Sequence, residues 1–233
     1  MKSVRRLCAL FLFLFCSLVY AQDRVITNEP IIWTQYTQNI KFSDLYRGTF
    51  ALQHRAFVER EKGYHLFFSA GVSRKLNHGF SVGAGFINLN INQFVDTDFV
   101  LVPELRPFQS IAFGQAVGKS SFSWRFMVEE RFFRNAADGE LVSGFNQNWR
   151  FRHKAQYNQY LANKLRLILS SEIMFNAGNI NINIFDQHRT QVMLGYSFGK
   201  LSASMGYMHW FFQTAANVHE NRHTLIIAFA HSI

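Results

Sequence analysis

Between residues 122 and 157 the chain changes character at every second position. In FSWRFMVEERFFR, Arg125, Glu129 and Arg131 share one parity, and Trp124, Phe126, Val128 and Phe132 take the other. In NWRFRHKAQY, Arg150, Arg152 and Lys154 alternate with Trp149, Phe151 and Ala155. A period of two sends alternate side chains to opposite faces of a β-strand. One face is therefore apolar and aromatic, while the other carries closely spaced charges. A soluble sandwich or lipocalin-like barrel would turn the apolar face into a core. A membrane barrel reverses the arrangement, with apolar side chains to lipid and polar ones to the lumen.

The N-terminus bears on this choice. Lys2, Arg5 and Arg6 precede an apolar run over residues 7–19, and Val19-Tyr20-Ala21 has the small-x-small form of a cleavage site. That run is short for a helical span. Residues 1–21 are thus expected to be a signal peptide that is removed, leaving 22–233 as one barrel domain. Both cysteines, Cys8 and Cys16, fall within the signal, so no disulfide, thiol nucleophile or cysteine-bound metal is expected in the mature chain. Loss of Lys2, Arg5 and Arg6 lowers the formal charge from +9 but leaves it positive. Export argues against nucleic acid as the partner of that charge and favours anionic lipid headgroups or an anionic solute. Aromatic residues make up 16% of the chain, including 26 Phe, and nothing after the signal is apolar for long enough to form a helical span. This composition suits an outer-membrane barrel.

Eleven segments have strand character: 31–41, 45–57, 64–75, 80–89, 104–116, 121–134, 144–157, 164–175, 187–198, 201–212 and 223–233. A single-chain bacterial barrel normally has an even number of strands. The expected wall is therefore an all-β, single antiparallel transmembrane β-barrel of 10 or 12 strands. Twelve results if residues 93–100 form a further strand, and ten if 31–41 lies outside the wall. Turns near Val117, Ala162 and Gly199 are expected at the periplasmic end, with longer loops at 135–143, 176–185 and 214–222 outside. Trp33, Tyr46, Tyr64, Tyr157, Tyr160, Tyr196, Phe198, Trp210, Phe211 and Phe212 fall near strand ends, as interfacial girdles would.

The charged parity defines a ladder expected to line the lumen: Glu104, Arg106, Arg125, Glu129, Arg131, Arg150, Arg152, Arg166, Glu172 and Arg189. Such a ladder can plug a narrow barrel, because small barrels fill with their own side chains. It can also attract anions, since arginine-rich rings serve anion pores. Catalysis has weaker support. His209, His219, His223 and His231 with Ser202, Ser204 or Ser232 are the candidates for a lipid acyl hydrolase or transferase, but no GxSxG or HExxH motif is present. No catalytic residue is assigned. His219 and His223 around Glu220 give two possible metal ligands in a segment that reads as a solvated loop, and neither a metal nor a cofactor is expected.

Trp33, Arg55, Pro103-Glu104-Leu105-Arg106, Glu129-Glu130-Arg131-Phe132, Arg150-Phe151-Arg152, Glu172, Arg189 and Gly206-Tyr207 follow one another in a recognisable order. This succession, over nearly all of the mature chain, resembles the outer-membrane barrel family catalogued as domain of unknown function 2490. The resemblance implies an outer-membrane β-barrel and brings no known activity or catalytic residues. The chain departs from common outer-membrane practice in ending on Ile233 rather than an aromatic residue. Taken together, the expectation is a non-enzymatic barrel in the bacterial outer membrane. Its partners would be outer-membrane lipids, the assembly machinery and small anionic solutes. A lipid-modifying barrel enzyme is the alternative.

Overall fold

The computed structural model describes residues 25–59, 63–178, 184–215 and 217–233, so the expected signal segment lies outside the described residues. Eleven strands form one closed barrel. They are β1 (Val25–Lys41), β2 (Tyr46–Phe57), β3 (Tyr64–Lys75), β4 (Phe80–Val95), β5 (Asp98–Val117) and β6 (Ser120–Ala137), followed by β7 (Glu140–Tyr160), β8 (Leu165–Ala177), β9 (Phe185–Phe198), β10 (Leu201–Ala215) and β11 (Val218–Ser232). Sequence neighbours pair antiparallel, and β1 closes the ring against β11 in parallel, with Trp33 opposite Ile226. A ring of alternating strands with an odd count must contain one parallel seam. Val25 therefore sits at the end holding the β4–β5, β6–β7 and β10–β11 turns (the first end). Ile233 sits at the other, beside the β5–β6 and β9–β10 turns (the second end).

Neither 10 nor 12 strands is correct. All eleven periodic segments are strands of the wall, and the parallel β1–β11 seam lets the odd number close. Residues 31–41 are in the wall, and 93–100 are the tip of the β4–β5 hairpin around Asp96 and Thr97. Two expected outer loops are also hairpins. Asp138 and Gly139 both have positive φ, 51° and 78°, which is the backbone of a tight two-residue turn, so β6 and β7 run on to Ala137 and Glu140. Asn217, with φ of 62°, likewise lets β10 and β11 extend through most of 214–222.

Alternation around the ring is consistent from strand to strand. The outer surface exposes Leu52, Leu66, Val82, Phe86, Leu105, Ile111, Leu169, Val192, Leu194, Met205, Leu225 and Phe229. Tyr46, Tyr157, Tyr160, Tyr196 and Phe198 are exposed near the second end. Trp33 and Trp210 do not belong to a girdle: they are 5% and 2% exposed and point inward. Trp33 has the parity of Arg55, its partner across the sheet, and Trp210 has that of Arg189, so register overrides nearness to a strand end.

The wall is tight where β3 and β4 pair at Gly71 and Gly85. A Cβ on Gly85 would lie 2.2 Å from the Ala70 carbonyl oxygen and 2.7 Å from the Phe108 ring. Backbone atoms on one side and a lumen ring on the other leave no room for a methyl group. Gly85→Ala is expected to lower stability by about 1–3 kcal/mol. A urea midpoint of unfolding that does not fall would contradict this packing.

Candidate functional site: a charged and aromatic lumen

The inward parity gathers the ladder into one network. Glu104 accepts two hydrogen bonds from Arg106, from Nε and Nη2, each 2.7 Å, and is also paired with Arg131 at 2.5 Å. Glu129 pairs with Arg152 and has Arg106 Nη1 at 3.5 Å and Arg150 Nη1 at 4.0 Å. Glu172 accepts from Arg152 Nη2 at 2.8 Å and Arg125 Nη2 at 3.2 Å, with Arg189 at 3.9 Å. Cross-strand register explains the convergence. Arg125, Lys154, Glu172, Arg189, Trp210 and Arg222 are successive partners across β6 to β11, so one row over six of the eleven strands carries them all. Each carboxylate meets several guanidinium groups, as charges withdrawn from water require.

Arg166 is the ladder residue left out. It lies on β8 six positions from Glu172, roughly 20 Å along the strand at the usual rise. Three members were missed. Asp186 pairs with Arg150 Nη2 at 3.0 Å, but a register shift at Met174/Phe175 takes it off the simple alternation. Glu220 accepts from Arg222 Nε at 2.7 Å, and both were hidden in a segment read as a loop. Extending the β11 parity backward from Thr224 would have found them.

The second feature is aromatic. The Arg55 guanidinium lies 3.8 Å from the Trp33 ring centroid, and those of Arg189 and Arg222 each lie 4.3 Å from that of Trp210. The two indole rings are 6.3 Å apart. Desolvated contacts of this kind are worth up to about 2 kcal/mol each. Behind them, Ile31, Phe57, Ile168, Met193, Met208 and Ile226 complete an apolar cluster inside the barrel.

A cavity of about 650 Å³ runs from this centre toward the second end. Small and polar residues line its outer part, among them Thr37, Ser81, Ser110, Ser202 and Ser204, with Arg125, Lys154 and Arg166 also reaching it. Glu104, Glu129 and Asn148, on the other side of the centre, are buried to 2% exposure or less. Among the described residues, no carboxylate lies within salt-bridge distance of Arg55, Lys154 or Arg166.

The sequence candidates for catalysis do not assemble. His209 and His223 face outward, bonded to Asn221 at 3.2 Å and Tyr207 at 2.7 Å, whereas Ser202 and Ser204 line the cavity. His219 packs on the Phe211 ring and shares the parity of His223, but the two stand four positions apart on β11, roughly 13 Å at the usual rise, and Glu220 between them points in. One serine–histidine contact does occur, Ser171 Oγ to His188 Nε2 at 2.9 Å, on the outer wall.

No curated protein and no solved structure matches the chain. The family model described as "Protein of unknown function (DUF2490)" matches residues 31–222, from β1 into β11 and across the whole charged lumen, and the chain belongs to that family.

Proposed function

We propose that the chain is an outer-membrane β-barrel that holds a small anionic solute in its lumen instead of conducting it. Embedding is supported by the apolar outer wall, since a soluble monomer rarely exposes so continuous an apolar surface. Holding is supported by near-complete burial at Glu104, Glu129 and Asn148 on one side of an open cavity. The observation that carries the reading is the set of cavity-facing cations, Arg55, Lys154 and Arg166, none of which has a carboxylate within salt-bridge distance among the described residues, although Lys154 stands across the sheet from Glu172. Arg55, 6% exposed, is withdrawn from water and favours a counter-ion at its place in the lumen.

Two measurements test this. Refolded protein in a planar bilayer is expected to insert without steady openings, and steady anion-selective current would replace holding with conduction. In calorimetry with inorganic phosphate, Lys154→Gln is expected to weaken binding about tenfold, the loss of one charge-assisted contact. Unchanged phosphate affinity in that variant would remove Lys154 from the site.

The rival reading is a lipid-modifying enzyme, and it has one observation in its favour, the Ser171–His188 contact facing the lipid side. It expects acyl hydrolysis that Ser171→Ala abolishes while phosphate binding persists. Full hydrolytic activity in Ser171→Ala would dismiss that pair.

A further inference from the structure

The centre of the lumen constrains a ligand by more than its charge. Four donor groups there are buried and meet no protein acceptor: Nε of Arg55, Nε of Arg189 and the indole nitrogens of Trp33 and Trp210. They belong to one assembly, because Arg55 stacks on Trp33 and lies 5.7 Å from Trp210, while Arg189 lies 5.4 Å from Trp33 and 4.3 Å from Trp210. Arg55 is 6% exposed, and its described hydrogen bond is from Nη2 to Gln53 at 2.7 Å. Arginine and indole offer donors only. Buried donors without acceptors are costly, so this group favours an acceptor-rich, negatively charged occupant.

The surroundings of these donors separate an inorganic ion from an organic one. Ile168, Met193, Gly206, Ile226, Trp33 and Arg55 are successive cross-strand partners from β8 to β2. Arg55 therefore follows a run of apolar partners and is itself followed by His65 on β3. Ile168, Met193, Ile226 and both indoles face the same 650 Å³ cavity as Arg55. A free phosphate or sulfate would gain nothing from that row, whereas a ligand with an apolar body would cover it.

We infer that the lumen is a binding site for a small organic carboxylate with an apolar body. The carboxylate would be held by the Arg55–Trp33–Trp210–Arg189 donors and the body by Ile168, Met193 and Ile226. The cavity volume falls in the range of small-molecule sites. This inference rests on the anion-holding reading and narrows it to one ligand class.

The test uses the full mature chain refolded in detergent, with Trp124 and Trp149 changed to Phe so that Trp33 and Trp210 report alone. Emission is followed while acetate, hexanoate, benzoate and inorganic phosphate are titrated. Hexanoate and benzoate are expected to bind at least about tenfold more tightly than acetate, since each buried methylene is worth about fourfold. Arg55→Gln should abolish the response while the barrel still folds, as judged by its β circular dichroism and heat-modifiable gel mobility. Arg55→Lys, which keeps the charge but loses the planar donors, should restore only part of it. If phosphate binds as well as hexanoate, and Lys154→Gln rather than Arg55→Gln removes binding, the anion reading stands and this assignment falls. Absence of saturable binding by all four anions would overturn both. A response that survives in Arg55→Gln and in Trp210→Phe would place the ligand elsewhere in the lumen and also overturn the assignment.

Discussion

Glu129→Ala is expected to prevent the barrel from refolding, or to leave it about 3–5 kcal/mol less stable, the cost of stranding buried charges. Glu129 has no solvent exposure and faces Arg106, Arg150 and Arg152. Those arginines cannot all turn to other carboxylates, because Glu104 already binds Arg106 and Arg131, and Glu172 binds Arg152 and Arg125. Removing one negative charge from the centre leaves mutual repulsion among cations in a poorly solvated space. Replacing Glu129 with Leu and Arg152 with Met together should recover part of the loss, since an apolar pair needs no counter-charge. The measurement is a double-mutant cycle on urea unfolding in detergent or lipid. A Glu129→Ala protein as stable as the parent would mean that water, not protein, neutralises these arginines.

How far the chain could be read in advance depended on which interactions decide each feature. Alternation is local, so both faces of β6 and β7 and the inward parity of the ladder could be read from sequence, including that of Arg166, which reaches the cavity but joins no ion pair among the described residues. Their assembly followed because neighbouring inward positions in a closed sheet face one another regardless of distance along the chain. Closure is not local. The parallel seam between β1 and β11 joins Trp33 to Ile226, and nothing near either residue announces it. The loops were misread for a chemical reason. Polar residues such as Asn135, Asp138 and Asn217 look like loop, yet Asp and Asn tolerate positive φ and make two-residue turns that let the strands continue. The indole–arginine centre was missed because tryptophan near a strand end suggests a membrane interface. Only the register with Arg55 and Arg189 turns Trp33 and Trp210 inward.

Leu194→Arg is expected to separate a membrane barrel from a soluble one by the size of its effect. Leu194 sits four residues from the end of β9, 52% exposed, with Leu167 and Met205 as its partners on the same outer face. If the wall meets water, an exposed leucine exchanged for arginine should change stability by no more than about 0.5 kcal/mol. If the wall meets hydrocarbon, the charge must be desolvated or must snorkel, and near the midplane the cost is about 2–4 kcal/mol. The same change at Tyr196, closer to the second end and beside Phe198, should cost about 0–1 kcal/mol, because interfacial depth relieves the penalty. Unfolding from phospholipid vesicles measures both variants against the parent. A steep difference between positions 194 and 196 would locate the hydrocarbon boundary along β9. Two small and equal effects would return the apolar outer wall to an aqueous setting, where it would need a protein partner to cover it.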